Sequence, residues 1–142
     1  MVEVELLTSE AKLPSYAHFG DAGADLYSVE NVIIFPGERK LIGTGIALAI
    51  PVGFVGLIHP RSGLAAKSGI TVLNAPGTID SGYRGEVKIN LINHGEESFT
   101  VLAGDRIAQL VIQEVIRAKF VKAETLVSTE RGTGGHGSTG VN

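Results

Sequence analysis

The sequence predicts an all-β chain: a jelly-roll-like antiparallel β sandwich or barrel carrying one short helix. Three observations point there. Apolar and polar residues alternate with a period of two in several short runs, Gly or Pro punctuates most of the gaps, and only one brief segment has helical character. The 142 residues suit one compact unit. A chain of this size buries a core without disulfides, and it contains no Cys to form any.

In chain order, Val2, Val4 and Leu6 alternate with Glu3 and Glu5, as in a strand with one apolar face. β-rich runs follow at 32–35, 41–50 and 54–59, separated by Pro36-Gly37 and Pro51-Val52-Gly53. Residues 62–67 read as a helical turn or two, with Ser62 placed as N-cap. A further strand at 70–73 leads into a Gly- and Pro-bearing hairpin. Val87, Ile89 and Leu91 then alternate with Glu86, Lys88 and Asn90, and another run occupies 99–102. Ala108, Leu110 and Ile112 oppose Gln109, Val111 and Gln113, an expected strand buried on both faces. The pattern stops near Thr125. Five glycines fall between Arg131 and Gly140 without an apolar anchor, so residues 1–124 are expected to form the β-rich domain and 125–142 a flexible glycine-rich lid.

Charge and composition exclude several classes of function. Twelve basic against fifteen acidic residues argue against a nucleic-acid polymer as partner, because phosphate-tracking surfaces need a basic excess. The longest nearly apolar run, 46–58, is broken by Pro51, Gly53 and Gly56 and falls short of the roughly 18 residues of a membrane span. The alternating acidic N-terminus is no signal peptide, so a cytoplasmic, membrane-free protein is expected. A hydrophobic content of 44% with only 19% charged residues suggests surface hidden against copies of the same chain.

Four polar, glycine-bearing segments and the tail carry the candidate chemistry. In Gly20–Tyr27, Asp21 reads as a turn residue, whereas Asp25 enters a strand-like run. Pro60–Lys67 combines the Arg61 guanidinium, the Ser62 hydroxyl and helix N-terminal amides, equipment for an oxyanion or, equally, a capped helix with Arg61 in a salt bridge. Asn74–Glu86 offers an amide, the Asp80 carboxylate and the Tyr83 ring; an amide donates and accepts together, and a carboxylate can take a proton from water. Taken alone, this segment is an ordinary hairpin. Gln109, inside an apolar strand, must find hydrogen-bond partners in the fold or in a ligand. The tail's unshielded amides, with Arg131, Ser138 and Thr139, can wrap an anion, although such tails are more often linkers.

These segments occur in a telling order: Ala22-Gly-Ala-Asp-Leu-Tyr-Ser28, Pro60-Arg-Ser-Gly-Leu-Ala65, Gly77-Thr-Ile-Asp-Ser-Gly-Tyr-Arg-Gly85, Gly104-Asp-Arg-Ile-Ala-Gln-Leu110 and Arg131-Gly-Thr-Gly-Gly-His-Gly-Ser-Thr-Gly140. Along nearly its whole length the chain resembles the homotrimeric deoxyuridine triphosphatase (dUTPase) family. The resemblance implies a jelly-roll-like subunit, a homotrimer with active sites shared between chains, and hydrolysis of dUTP to dUMP and pyrophosphate with Mg2+. It implies Asp80 as the base that activates the attacking water. Uracil and deoxyribose would be met by Asn74, Gly77, Thr78, Ile79, Tyr83 and Lys88, with His136 stacking where the family most often has Phe. The phosphates would be met by Arg61, Ser62, Gly63, Gln109, Arg131, Gly135, Ser138 and Thr139. Asp25 would stand behind the water shell of the metal. An imidazole at position 136 makes a pH-dependent affinity an expectation. Two other readings stay open: a dCTP deaminase on the same scaffold, against which Asn90 stands where a Glu is expected, and a noncatalytic nucleotide sensor, against which Asp80, Arg61 and Arg131 speak.

Overall fold

The computed structural model describes residues 1–135. Along it run β1 (Glu3–Leu6), β2 (Ala24–Tyr27), β3 (Val32–Ile34), β4 (Arg39–Ala49), β5 (Phe54–His59), α1 (Ser62–Ser68), β6 (Ile70–Val72), β7 (Gly77–Ile79), β8 (Glu86–Asn93), β9 (Phe99–Val101) and β10 (Arg106–Glu114). Two four-stranded sheets, ordered β1-β4-β8-β6 and β2-β10-β5-β7, accompany a β3-β9 ribbon. All their pairings are antiparallel. One buried cluster draws on every layer: Ile42, Ile89 and Leu91 from the first sheet, Leu26, Ile58 and Leu110 from the second, Ile34 and Val101 from the ribbon. This is the expected sandwich logic, with the inner faces of the sheets sharing one core.

Period-two patterning is realised most clearly in β8, where Val87, Ile89, Leu91 and Asn93 are buried and the residues between them are not. Asn93 is fully buried because its side chain completes a network: Nδ2 donates to the carbonyls of Ile34 (2.9 Å) and Glu97 (2.8 Å), and Oδ1 accepts from the Gly95 amide (2.8 Å). That ties the ribbon to the end of β8.

Several expectations are corrected. Strand β10 is not buried on both faces: Ala108 and Leu110 are, but Gln109, Val111 and Ile112 are half-buried, and Gln113 and Glu114 are exposed. Helix α1 is capped by Arg61, in extended conformation (φ −90°, ψ 122°), and not by Ser62, which is its first helical residue. The amides of Leu64 and Ala65 both reach the Arg61 carbonyl, at 3.1 and 3.0 Å, and this sets the start. Strands β2 and β7 escape the alternation rule because they are three or four residues long and lie inside glycine-bearing segments. Pairing with β10 and β5 makes them strands. Among the described residues, regular structure ends at Glu114, earlier than the fading of the sequence pattern, and residues 115–133 are exposed.

Candidate functional site

Asp25 lies in β2 and is 3% exposed. An isolated carboxylate at such a depth would cost several kcal/mol. Here Arg61 Nε stands 3.3 Å from Oδ1, Gln109 Nε2 donates to Oδ1 at 3.3 Å, and Arg106 Nη1 donates to Oδ2 at 3.3 Å. The Arg61 Nη1 also donates to the Arg106 carbonyl at 3.2 Å. Pairing of β2 with β10 sets Asp25 opposite Gln109, and pairing of β10 with β5 sets Gln109 opposite His59, two residues before Arg61. Three distant sequence segments therefore meet at one carboxylate. Gly23 makes room for this: a Cβ there would lie 2.9 Å from Gln109 Oε1. The arginine side chains keep 26% and 50% of their surface open, so the cluster presents positive charge to solvent. Ser62 and Gly63 are exposed at the start of α1, beside Arg61. Asp21 behaves as a turn residue, accepting from the His18 amide at 2.8 Å.

The second group of residues surrounds β7 and β8. Asn74, Gly77, Thr78 and Lys88 line a slot of about 90 Å3 whose floor includes Ile58, Val72 and Ile89. Thr78 and Lys88 also border a wider cavity of about 530 Å3 with Tyr83 and Glu86. The Asn74 amide packs over Gly77, where a Cβ would come 3.3 Å from Nδ2. Glu86 organises the wider cavity: its carbonyl accepts from the Tyr83 hydroxyl at 3.0 Å, its Oε2 is 3.3 Å from Lys88 Nζ, and its Oε1 accepts from the Gly45 amide at 3.0 Å. The Ile79 side chain belongs to the core, so only its backbone is available to a ligand. Asp80 is exposed just past β7, its carbonyl accepting from the Tyr83 amide at 3.0 Å.

Within one chain the Asp80 carboxylate stands apart from the Arg61 end of the first group. In the β5–β7 pairing Ile79 faces Gly56 and Gly77 faces Ile58, so Asp80 continues past one end of the paired segment while Arg61 lies beyond the other. At about 3.3 Å per residue the two are separated by roughly 15–20 Å along the strand direction. Arg131, exposed, donates from Nε to the Gly134 carbonyl at 3.0 Å, in a turn of the tail; Gly135 is exposed as well. His136, Ser138 and Thr139 lie outside the described residues.

Arg106 is the residue that sequence reasoning left without a role, although it sits inside a recognised segment. Among the described residues, no group of three or more His, Asp or Glu side chains is placed to hold a metal ion. Asp25, with both oxygens already engaged, suits a divalent ion that keeps its waters and takes its inner ligands from a phosphate chain, the habit of Mg2+. Also among the described residues, no helix is long and apolar enough to cross a membrane.

Comparison with known proteins gives a consistent picture. The dUTPase family model matches residues 9–140. A deoxyuridine 5'-triphosphate nucleotidohydrolase from Corynebacterium diphtheriae is 55% identical over 143 residues, covering 100% of this chain and 94% of the relative. The dUTPase of Staphylococcus bacteriophage 80alpha, solved with dUpNHpp, superposes with a TM-score of 0.92 at 32% identity, over 99% of both chains. A mutant dUTPase from phage phi11 of S. aureus, solved with a structural Mg(II) ion, gives a TM-score of 0.81 at 30% identity, over 88% of this chain and 97% of the other.

Proposed function

The chain belongs to the dUTPase family, and from that premise we propose how it carries out the family reaction, hydrolysis of dUTP to dUMP and pyrophosphate. Removing dUTP keeps uracil out of DNA and supplies dUMP for dTMP synthesis. Asp80 accepts a proton from a water molecule as that water attacks the α-phosphorus. The bond from the α-phosphorus to the oxygen bridging to the β-phosphate breaks, and pyrophosphate leaves. Positioning and charge dispersal supply most of the acceleration.

The observation that carries this reading is the convergence of Arg61 and Gln109 on the buried Asp25, which presents a guanidinium and an amide as one preformed anion-facing unit. Ser62 and Gly63 add a hydroxyl and amides beside it. The slot of Asn74, Gly77, Thr78 and Lys88 takes the uracil edge, with the Ile79 backbone beside it, and Tyr83 packs on the deoxyribose. The small slot, about 90 Å3, supports exclusion of a 5-methyl base. Asp25 would stand behind the water shell of a Mg2+ ion, which when bound with the triphosphate would supply neutralisation of phosphate charge. Residues 125–142 act as a lid that brings Arg131, Gly135, Ser138 and Thr139 to the phosphates and His136 over the base, and excludes solvent.

The working form is a homotrimer with shared sites. Two features support it: the distance between Asp80 and Arg61 along β5, and the apolar surface that a single chain leaves open. Val2, Val4, Leu13 and Tyr16 line an apolar groove of about 500 Å3. Ile116 and Phe120 are more than nine-tenths exposed. Surface of that kind is covered in an oligomer. The chain works in the cytoplasm on a free nucleotide, and neither a nucleic-acid polymer nor a membrane is its partner.

A panel of dUTP, dTTP, dCTP and UTP with magnesium, scored for pyrophosphate, tests the reading. Release from dUTP at least about a hundredfold above the others is expected, because cytosine leaves the polar groups of the slot unpaired, a 5-methyl group does not fit it, and Tyr83 packs on a sugar without a 2′-hydroxyl. Ammonia from dCTP, or no pyrophosphate from dUTP, would overturn it.

A further inference from the structure

Strand β10 carries an irregularity at its start. In its pairing with β2, Arg106 faces Tyr27, Ala108 faces Leu26 and Gln109 faces Asp25, so Ile107 is an extra residue without a partner. In a regular strand Arg106 and Gln109, three residues apart, would point to opposite faces. The bulge lets Ile107 and Ala108 both enter the core, at 1% and 0% exposure, and returns Arg106 to the face that carries Gln109. Re-aiming of this kind is what brings Arg106 Nη1 to Asp25 Oδ2.

The two carboxylate oxygens of Asp25 are thereby divided. Arg106 occupies Oδ2, while Arg61 and Gln109 share Oδ1. We infer that Arg106 is a positioning residue for the hydrolysis: by fixing the orientation of Asp25 it holds the Arg61 guanidinium and the Gln109 amide where the phosphate chain arrives. The inference rests on the function proposed above. Without Arg106, Oδ2 loses its hydrogen-bond donor and the carboxylate is free to rotate. Arg61 then becomes the sole guanidinium for a buried negative charge, and is drawn to Asp25 at the expense of substrate. Base and sugar contacts, made at β7 and β8, are untouched. The loss therefore falls on the transition state more than on substrate binding.

The experiment compares wild-type protein, Arg106→Gln, Arg106→Lys, Asp25→Asn and the Asp25→Asn/Arg106→Gln double variant in dUTP hydrolysis with Mg2+, dUpNHpp binding and thermal melting. Arg106→Gln is expected to lower kcat roughly tenfold or more, with KM and dUpNHpp affinity within about threefold and the melting transition retained. Arg106→Lys should recover part of the loss. The double variant should be no slower than Asp25→Asn alone, since Arg106 acts only through that carboxylate. A kcat for Arg106→Gln within about twofold of wild type, additive losses in the double variant, or collapse of the melting transition in Arg106→Gln would each overturn the inference. Wild-type protein that released no pyrophosphate from dUTP would instead remove the functional reading itself.

Discussion

On the proposed mechanism the reaction turns on one exposed carboxylate, Asp80, at the start of a tight turn. Asp80→Asn keeps the shape of the turn, whose hydrogen bond to Tyr83 uses the backbone, and removes the group that accepts the proton. Turnover is expected to fall by at least about a hundredfold while dUpNHpp affinity stays within about tenfold; near-normal turnover would remove Asp80 as the base. Part of the cluster at Asp25 was legible in the sequence, because Asp25 and Gln109 break apolar runs with polar groups that have to be satisfied. Gln109 is the clearest: an amide inside an apolar strand needs a partner, and it finds Asp25. Arg106 was not legible as a partner of the same carboxylate. An arginine after Gly-Asp reads as an exposed turn residue, and the bulge that re-aims it has no signature beyond two adjacent buried residues, Ile107 and Ala108. The separation of Asp80 from Arg61 within one chain was equally hidden, since linear order carries no register.

At the scale of elements, β-rich runs bounded mostly by Gly or Pro marked β3, β4, β5, β6 and β9, and alternation identified β1, β8 and β10 because each repeats the period cleanly. It failed for β2 and β7, whose strand character comes from their neighbours. Helix α1 is visible in the sequence, but residue preference points to Ser62 as its cap, whereas the preceding Arg61 carbonyl closes the first turn. The other end of α1 depends on a glycine. Gly69 has φ +66°, and a Cβ there would stand 2.6 Å from the Gly95 amide nitrogen, in backbone that cannot retreat without disturbing the Asn93 network. Gly69→Ala is therefore expected to lose more than the ~1–2 kcal/mol of a left-handed alanine. Gly63→Ala, in open space within the same helix, should leave stability nearly unchanged. Urea denaturation of the two variants checks the contrast, and equal midpoints would show that the Gly69–Gly95 approach is not a constraint.

For the whole molecule, the fold and the chemistry make different demands on the chain. Among the described residues, regular structure is complete by Glu114 and the core draws nothing from the tail. Deleting residues 131–142 should therefore keep the melting transition and abolish most hydrolysis; a truncated chain with full turnover would remove the lid. The homotrimer calls for a sharper test, because the register of β5 and β7 separates Asp80 from Arg61 within one subunit. If each site takes Asp80 from one chain and Arg61 from another, two inactive proteins can repair each other. Asp80→Asn chains retain Arg61, and Arg61→Gln chains retain Asp80. When the two are unfolded together in equal amounts and refolded, a site is intact only where the carboxylate comes from the second kind of chain and the guanidinium from the first. Random assembly gives about one quarter of the sites in that state, so roughly a quarter of wild-type turnover is expected from a mixture whose components are each nearly inactive. Sedimentation of the mixture should show one trimeric species. Sites confined to single chains would give no recovery at any mixing ratio, because every chain would carry one lesion of its own.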